Sequence, residues 1–115
     1  MFYKSKTQTA GVNNGNTVTI TSPNTKQIFL KQYLVACTGT TGPPATMTIQ
    51  ITSEDATVLW EDAILETGGE EHGSYRVSHT FPGRGLPAKV DQNLVVTVSN
   101  GGATTGSEVS LLYSV

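Results

Sequence analysis

The stretch ATMTIQIT, residues 45–52, alternates strictly between two kinds of side chain. Met47, Ile49 and Ile51 share one face of an extended chain, while threonine and glutamine occupy the other face. A period of two over this length is typical of a β-strand that buries one side and exposes the other. The stretch therefore predicts a half-buried strand, and much of the remaining chain repeats its pattern.

Similar alternation recurs in four further segments, residues 17–21, 75–81, 94–98 and 109–115. Residues 28–37 and 57–65 are more continuously apolar, so we expect them to be central strands or strands covered on both faces. Glycine, proline and asparagine separate these segments, as they do at turns. No window shows the i, i+3, i+4, i+7 apolar spacing of an amphipathic helix, so the pattern predicts an all-β chain.

Seven or eight strands in 115 residues favour two antiparallel sheets packed about 10 Å apart. We therefore predict a single antiparallel β-sandwich over residues 17–115, and we favour the jelly-roll arrangement. An immunoglobulin-like sandwich is the second choice. The chain has one cysteine, Cys37, and so lacks the Cys…Trp…Cys framework of antibody domains.

Residues 1–16 show no sustained alternation and carry Lys4 and Lys6. This segment is predicted to be a flexible N-terminal arm that reaches a neighbouring subunit and becomes ordered on binding. A frayed end or an edge strand is the alternative interpretation of the same residues.

The charge balance, seven basic against nine acidic residues, excludes several kinds of partner. A net charge of −2 without a basic stripe argues against nucleic-acid binding and against attachment to a membrane surface. No apolar run approaches the roughly 20 residues of a membrane span, and the first residues do not resemble a signal peptide. We therefore expect synthesis in a reducing cytoplasm.

The residues that could carry chemistry form no recognised catalytic or metal-binding pattern. The two histidines, His72 and His79, have no Gly-X-Ser-X-Gly nucleophile motif to act with. Glu66, Glu70 and Glu71 gather with His72 in a glycine-rich segment, but their spacing matches no calcium loop and no zinc motif. We predict no catalytic residue, no cofactor and no metal, with adventitious metal binding as the alternative for this segment.

The most distinctive local sequence is FPGRGLP, residues 81–87. Its glycines and prolines predict either a rigid connection or a contact loop with Arg84 at its tip. In the second case Arg84 pairs with a carboxylate of a neighbouring copy, for example in the segment from Glu66 to Glu71. The candidate interface residues are Arg84, Phe81, Leu86, Glu66, Glu70, Glu71, Lys4 and Lys6.

The order of these strand and turn sequences resembles a known family. TVTITSP (17–23), QIFL (27–30), TVLW (57–60), FPGRGLP (81–87) and NLVVTVS (93–99) are followed by a glycine-rich hairpin and a last strand. This order resembles the small β-sandwich virion proteins of tailed bacteriophages, namely head decoration (capsid cement) proteins and related minor structural proteins. The similarity covers residues 17–115.

The resemblance implies a non-enzymatic protein of the capsid surface, made in the bacterial host cytoplasm. Its expected partners are the major capsid protein and further copies of itself, most often in a trimer. The alternative is a carbohydrate- or host-surface-binding module of a phage head fibre or tail. Such a module would present exposed aromatic side chains for stacking against sugar rings.

Overall fold

The computed structural model describes residues 3–10, 15–23, 25–39, 45–66, 74–99 and 105–115, with the side chains of some strand ends left out. Every element in these ranges is a β-strand. The nine strands are β1 (Lys4–Ala10), β2 (Asn16–Ile20), β3 (Phe29–Gly39), β4 (Ala45–Ser53), β5 (Val58–Glu66), β6 (Ser74–Thr80), β7 (Leu86–Pro87), β8 (Leu94–Val98) and β9 (Thr105–Ser114).

The strands form two antiparallel sheets. Sheet A has the order β1-β9-β3-β6, with the two-residue strand β7 also paired to β3, and sheet B has the order β2-β8-β4-β5. When β7 is set aside, the eight long strands pair first with last, second with seventh, third with sixth and fourth with fifth. This is an eight-stranded antiparallel ribbon rolled into a jelly roll. The predicted all-β sandwich is confirmed, with β7 as a ninth, short strand.

The core lies between the sheets and follows the predicted alternation. Ile49 and Ile51 of β4 are fully buried, and the intervening Gln50 is only partly covered. The other buried hydrophobic residues in the strands of the two sheets are Val18, Ile20, Leu30, Tyr33, Val35, Leu94, Val96, Val98, Val109 and Leu111. Because inward and outward positions alternate along each strand, the outer faces keep threonine, serine and glutamine.

Of the two segments expected to be central strands, one is central and one is not. Strand β3 lies between β9 and β6, as residues 28–37 predicted. Strand β5 is an edge strand of sheet B, and Val58 at its start is 48% exposed, so the prediction for residues 57–65 is wrong. Its apolar run has another cause: Leu59 and Trp60 pack against the core from the open side of the sandwich.

The N-terminal segment is an edge strand over Lys4–Ala10, which is the alternative interpretation of these residues. Strand β1 pairs with β9 along its whole length, and Lys6 stands opposite the buried Leu111. Lys6 Nζ donates to the carbonyl oxygen of Thr19 on β2 at 2.6 Å, and Gln8 Nε2 donates to that of Thr17 at 2.8 Å. The sequence did not show this strand because its inward positions are polar. The sandwich therefore begins before residue 17, which corrects the predicted start of the domain.

Deleting residues 2–10 is expected to destabilise the sandwich severely. The deletion removes the seven-residue strand β1 and uncovers the backbone groups of β9, and each lost ladder hydrogen bond is worth about 0.5–1.5 kcal/mol. Thermal denaturation followed by circular dichroism measures the effect. Ser5→Ala, at an exposed position of β1, is the control and should change stability by less than about 0.5 kcal/mol. An unchanged transition in the deletion variant would show that the segment is a detachable arm.

Candidate functional site

A β-bulge in β3 organises the loop that follows β6. The pairing of β3 with β9 shifts between Leu30 and Gln32, which leaves Lys31 as the extra residue. Lys31 Nζ donates to the carbonyl oxygens of Phe81 at 2.8 Å and Gly83 at 2.7 Å. The carbonyl oxygen of Lys31 in turn accepts a hydrogen bond from the backbone N–H of Phe81 at 2.9 Å. Lys31 in the bulge therefore holds the start of the loop with both its side chain and its backbone carbonyl group.

Residues 82–85 form a tight turn, called here the Arg84 turn. The backbone N–H of Gly85 donates to the carbonyl oxygen of Pro82 at 3.2 Å. Gly85 has φ +120°, and a Cβ atom on it would lie 2.5 Å from the backbone oxygen of Leu30. Gly83 has φ +61° but no heavy atom within 4 Å of such a Cβ. Gly85 is thus required both for conformation and for the close approach to β3, whereas Gly83 is required for conformation alone.

Arg84 is exposed at the tip of this turn, and its guanidinium lies over the ring of Phe29. The distance from Cζ to the ring centroid is 4.0 Å, which is the geometry of a cation–π contact. Phe29 alternates with the fully buried Leu30, so it faces the outer side of sheet A. The guanidinium makes no hydrogen bond or ion pair with any other residue that the structure describes. Its N–H groups are therefore held in place and open to a partner.

The other predicted interface residues are scattered. Phe81 is only 4% exposed and belongs to the core, so it anchors the start of the turn in the interior of the sandwich. Leu86 is half-buried against the core and pairs with Leu30. Lys4 and Lys6 are exposed on β1. Glu66 is the last residue of β5, and the structure describes its backbone only. Glu70, Glu71 and His72 lie outside the described residues.

A second surface, which the sequence did not reveal, is formed by residues 25–28, 53–58 and 88–93 and is called here the loop end. Side chains tie these loops to one another's backbone: Asp91 Oδ1 accepts from the N–H of Thr25 at 3.0 Å, and Gln27 Nε2 donates to the carbonyl oxygen of Ala88 at 2.6 Å. The N–H of Asp55 donates to Gln92 Oε1 at 3.3 Å. These links fix the relative positions of the three loops.

Strained backbone and an ion pair also mark the loop end. Thr25, Ala56 and Asp91 have φ between 64° and 69°, a region that costs non-glycine residues about 1–2 kcal/mol each. Lys89 Nζ lies 2.5 Å from Asp55 Oδ2. The hydrogen bond from Lys89, together with those from Thr57, holds the pKa of Asp55 well below its usual range. The cross-links keep this conformation in place despite the strain.

The loop end also exposes apolar side chains. Val58 is 48% exposed and Val90 is 61% exposed, whereas the valines of the core are fully buried. Two large aliphatic side chains on a surface of this rigidity are a feature of contact sites, because a contact there buries apolar area without ordering a loop.

A groove of about 500 Å³ crosses the outer face of sheet B, and it is called here the outer groove. Its lining residues are Thr48, Ile49, Gln50, Glu61, Asp62, Ala63, Thr97 and Ser99. Gln50 Nε2 donates to Glu61 Oε1 at 2.9 Å, and the hydroxyls of Thr48 and Ser99 lie 2.9 Å apart. The groove is therefore rich in hydrogen-bonding groups, carries the carboxylate of Glu61, and contains no aromatic side chain.

Aromatic side chains close the side of the sandwich between the edge strands β5 and β6. The rings of Trp60 and His79 stack with centroids 4.6 Å apart, and Phe81 meets both edge-on. Trp60 Nε1 donates to the hydroxyl of Tyr33 at 3.2 Å, and that hydroxyl donates to Asp62 Oδ2 at 2.7 Å. Burial and the hydrogen bond to Asp62 raise the pKa of Tyr33 to about 12. His79 packs within this cluster, between Trp60 and Phe81.

Neither a protein-family model nor a curated protein assigns a role to these surfaces. No protein-family model matches the chain, and no curated protein matches it. Among the described residues, no three His, Cys, Asp or Glu side chains come together as a metal site. The described residues also contain no helix with the length and hydropathy of a membrane span. The Arg84 turn, the loop end and the outer groove are therefore the described surfaces that bear on function.

The two glycines of the Arg84 turn should respond very differently to substitution. Gly85→Ala combines backbone strain with a clash against Leu30, so we expect it to lower the free energy of unfolding by about 2–5 kcal/mol. Gly83→Ala meets open space and should cost only the conformational strain, about 1–2 kcal/mol. Urea denaturation of both variants measures the difference. Equal losses would contradict the close approach of Gly85 to β3.

Tyr33 should make stability dependent on alkaline pH. In the unfolded chain its hydroxyl ionises near pH 10, but in the folded protein only near pH 12. The folded state then holds more protons between these values, so this stabilisation is complete below about pH 10 and is lost as the pH rises to about 12. Urea denaturation at pH 8 and pH 11 measures the loss, and Tyr33→Phe should show a smaller one. An equal pH dependence in the variant would contradict the assignment to Tyr33.

Proposed function

We propose that this chain is a non-enzymatic structural protein of a tailed-phage virion, a head decoration or cement protein that binds between subunits of the major capsid protein. The observation that carries the proposal is the loop end, a rigid surface that exposes Val58 and Val90. The resemblance of the strand order to such proteins points in the same direction, and so does the jelly roll, an architecture used by viral capsid proteins and lectins.

The rigidity of the loop end suits a protein that must hold neighbouring subunits together. Association normally costs free energy for ordering loops and side chains at the interface. Here much of that ordering occurs on folding, because side-chain hydrogen bonds such as Gln27 to Ala88 and Asp91 to Thr25 join the loops. Burial of the surface that each of these half-exposed valines still presents can then contribute on the order of 1 kcal/mol to binding.

The low charge of the chain fits a protein that ends up packed among other subunits. Only 14% of its residues are charged, and several of the described charges at the loop end are already used within the molecule, as in the pair of Lys89 and Asp55. We further propose that the chain acts as a homo-oligomer, most simply a trimer, on the capsid surface. Contacts between copies would add buried surface to a small core.

The alternative function, a carbohydrate-binding module of a phage head fibre or tail, receives less support from the geometry. Trp60 is partly buried, with His79 stacked on its ring and Phe81 edge-on to it, and Tyr33 is fully buried, so neither ring is a fully exposed platform for a sugar. The outer groove offers hydroxyls and a carboxylate but no ring for stacking. Tyr3, 45% exposed, is the one large aromatic exposed to that degree in the described part of the chain.

Binding to capsids that lack this protein tests the proposal directly. In a co-sedimentation assay the wild-type chain should pellet with such capsids, and Val90→Asp should weaken binding at least about tenfold, because a charge replaces a buried methyl group at the contact. Thr17→Asp adds the same charge to an exposed side chain far along β2, and it should bind like wild type. A wild-type chain that remains in the supernatant would contradict the proposal, and binding to a glycan array without capsid binding would support the alternative.

A further inference from the structure

Two polar groups described above have hydrogen-bonding atoms that no described residue uses. The guanidinium of Arg84 is held over Phe29 at 4.0 Å with its N–H groups unused by the described residues. In the outer groove, Glu61 uses one carboxylate oxygen to accept from Gln50, and its Oε2 accepts no hydrogen bond from a described residue. A guanidinium with open donors and a carboxylate with an open acceptor are complementary in charge and in hydrogen bonding.

We propose that the Arg84 turn of one copy inserts into the outer groove of a second copy, where Glu61 and Gln50 bind the guanidinium. Glu61 Oε2 and the amide oxygen of Gln50 are the two open acceptors, and they stand on the neighbouring strands β5 and β4. The fork of an arginine matches a pair of acceptors of this kind better than the single ammonium group of a lysine does.

The sizes of the two surfaces are compatible. The groove extends from β8 across β4 to β5, which is two strand spacings or about 10 Å. The first and last Cα atoms of a β-turn lie less than about 7 Å apart, so the turn is narrower than the groove. Glycines flank Arg84 on both sides, and the position of a Cβ on Gly83 is empty to 4 Å. The tip of the turn is thus slim enough to enter a volume of about 500 Å³.

Other carboxylates of the described chain are poorer acceptors for Arg84. Asp55 is paired with Lys89, Asp62 accepts from the buried Tyr33, and Asp91 accepts from the backbone of Thr25. Glu54 and Glu108 are exposed and accept long hydrogen bonds of 3.3 Å from Asn93 and 3.4 Å from Thr9, but neither lines the groove. Glu61 differs from these carboxylates because its Oε2 accepts no hydrogen bond from a described residue and its side chain lines the groove.

The positions of the two surfaces determine the kind of assembly. Arg84 lies over the outer side of sheet A, through Phe29, whereas the groove lies on the outer side of sheet B. The two surfaces of one copy therefore face in opposite directions, and each contact joins different patches of the two copies. Such a contact is heterologous, and it produces a closed ring when the rotation between copies closes and a filament when it does not.

Charge reversal provides the test, measured as self-association by sedimentation equilibrium. The wild-type chain should associate at micromolar concentration, and Arg84→Glu or Glu61→Arg alone should weaken association at least about tenfold. The double variant restores opposite charges across the contact and should regain most of the loss. Glu108→Arg, a reversal at an exposed carboxylate that does not line the groove, is the matched control and should leave association unchanged.

The outcomes separate the contact between copies from the binding of a capsid. A wild-type chain that stays monomeric up to about 1 mM overturns the inference, and so do single reversals without effect or a double variant that shows no recovery. The neutral variants Arg84→Gln and Glu61→Gln should weaken association while keeping the thermal transition of the wild type, which excludes misfolding as the cause. Because no capsid is present, self-association can fail while capsid binding stands, or the reverse.

Discussion

The bulge at Lys31 is the constraint from which the surface features of sheet A follow. Strand β3 pairs with β9, β6 and β7, so a change in its register affects the whole sheet. The extra residue places a lysine where it can hold the carbonyl groups of the next loop, and it lets Gly85 approach the backbone of Leu30. Arg84 then stands over Phe29 because the residues on both sides of it are already positioned.

The two open sides of the sandwich are closed by different chemistry. On one side, between β1 and β2, polar side chains bridge the edges: Lys6 and Gln8 bond to the backbone of β2, and Asn16 Nδ2 donates to the carbonyl oxygen of Gln8 at 3.0 Å. On the other side, between β5 and β6, stacked rings centred on Trp60 and His79 cover the core. A jelly roll of this size therefore keeps an apolar interior with short edges and no disulfide.

Local patterns in the sequence were sufficient for the fold class but not for the candidate site. Alternation in residues 45–52 correctly predicted β4 with Ile49 and Ile51 inward, because the side-chain period of a strand is a local property. The alternation did not show β1 as a strand, because its inward Lys6 lies at an open side of the sandwich. The apolar run of β5 suggested a central strand, but β5 is an edge strand. The flanking glycines were enough to predict that Arg84 lies at the tip of a turn. The groove at Glu61 depends on the register of β8, β4 and β5, and no local sequence pattern contains that information.

The inward lysine of β1 has a consequence for how copies of this protein can grow into larger structures. The ammonium group of Lys6 is already hydrogen-bonded to the backbone of β2. Lys6 also places a charged side chain at an inward position of the edge strand, where a strand added to the sheet would need an apolar neighbour. An edge protected in this way resists continuation of the sheet by a second chain. Layers of sandwiches, stacked face to face, remain possible. Their repeat would reflect the thickness of two packed sheets rather than the ~4.8 Å spacing of strands, which keeps ordered assembly apart from amyloid-like aggregation.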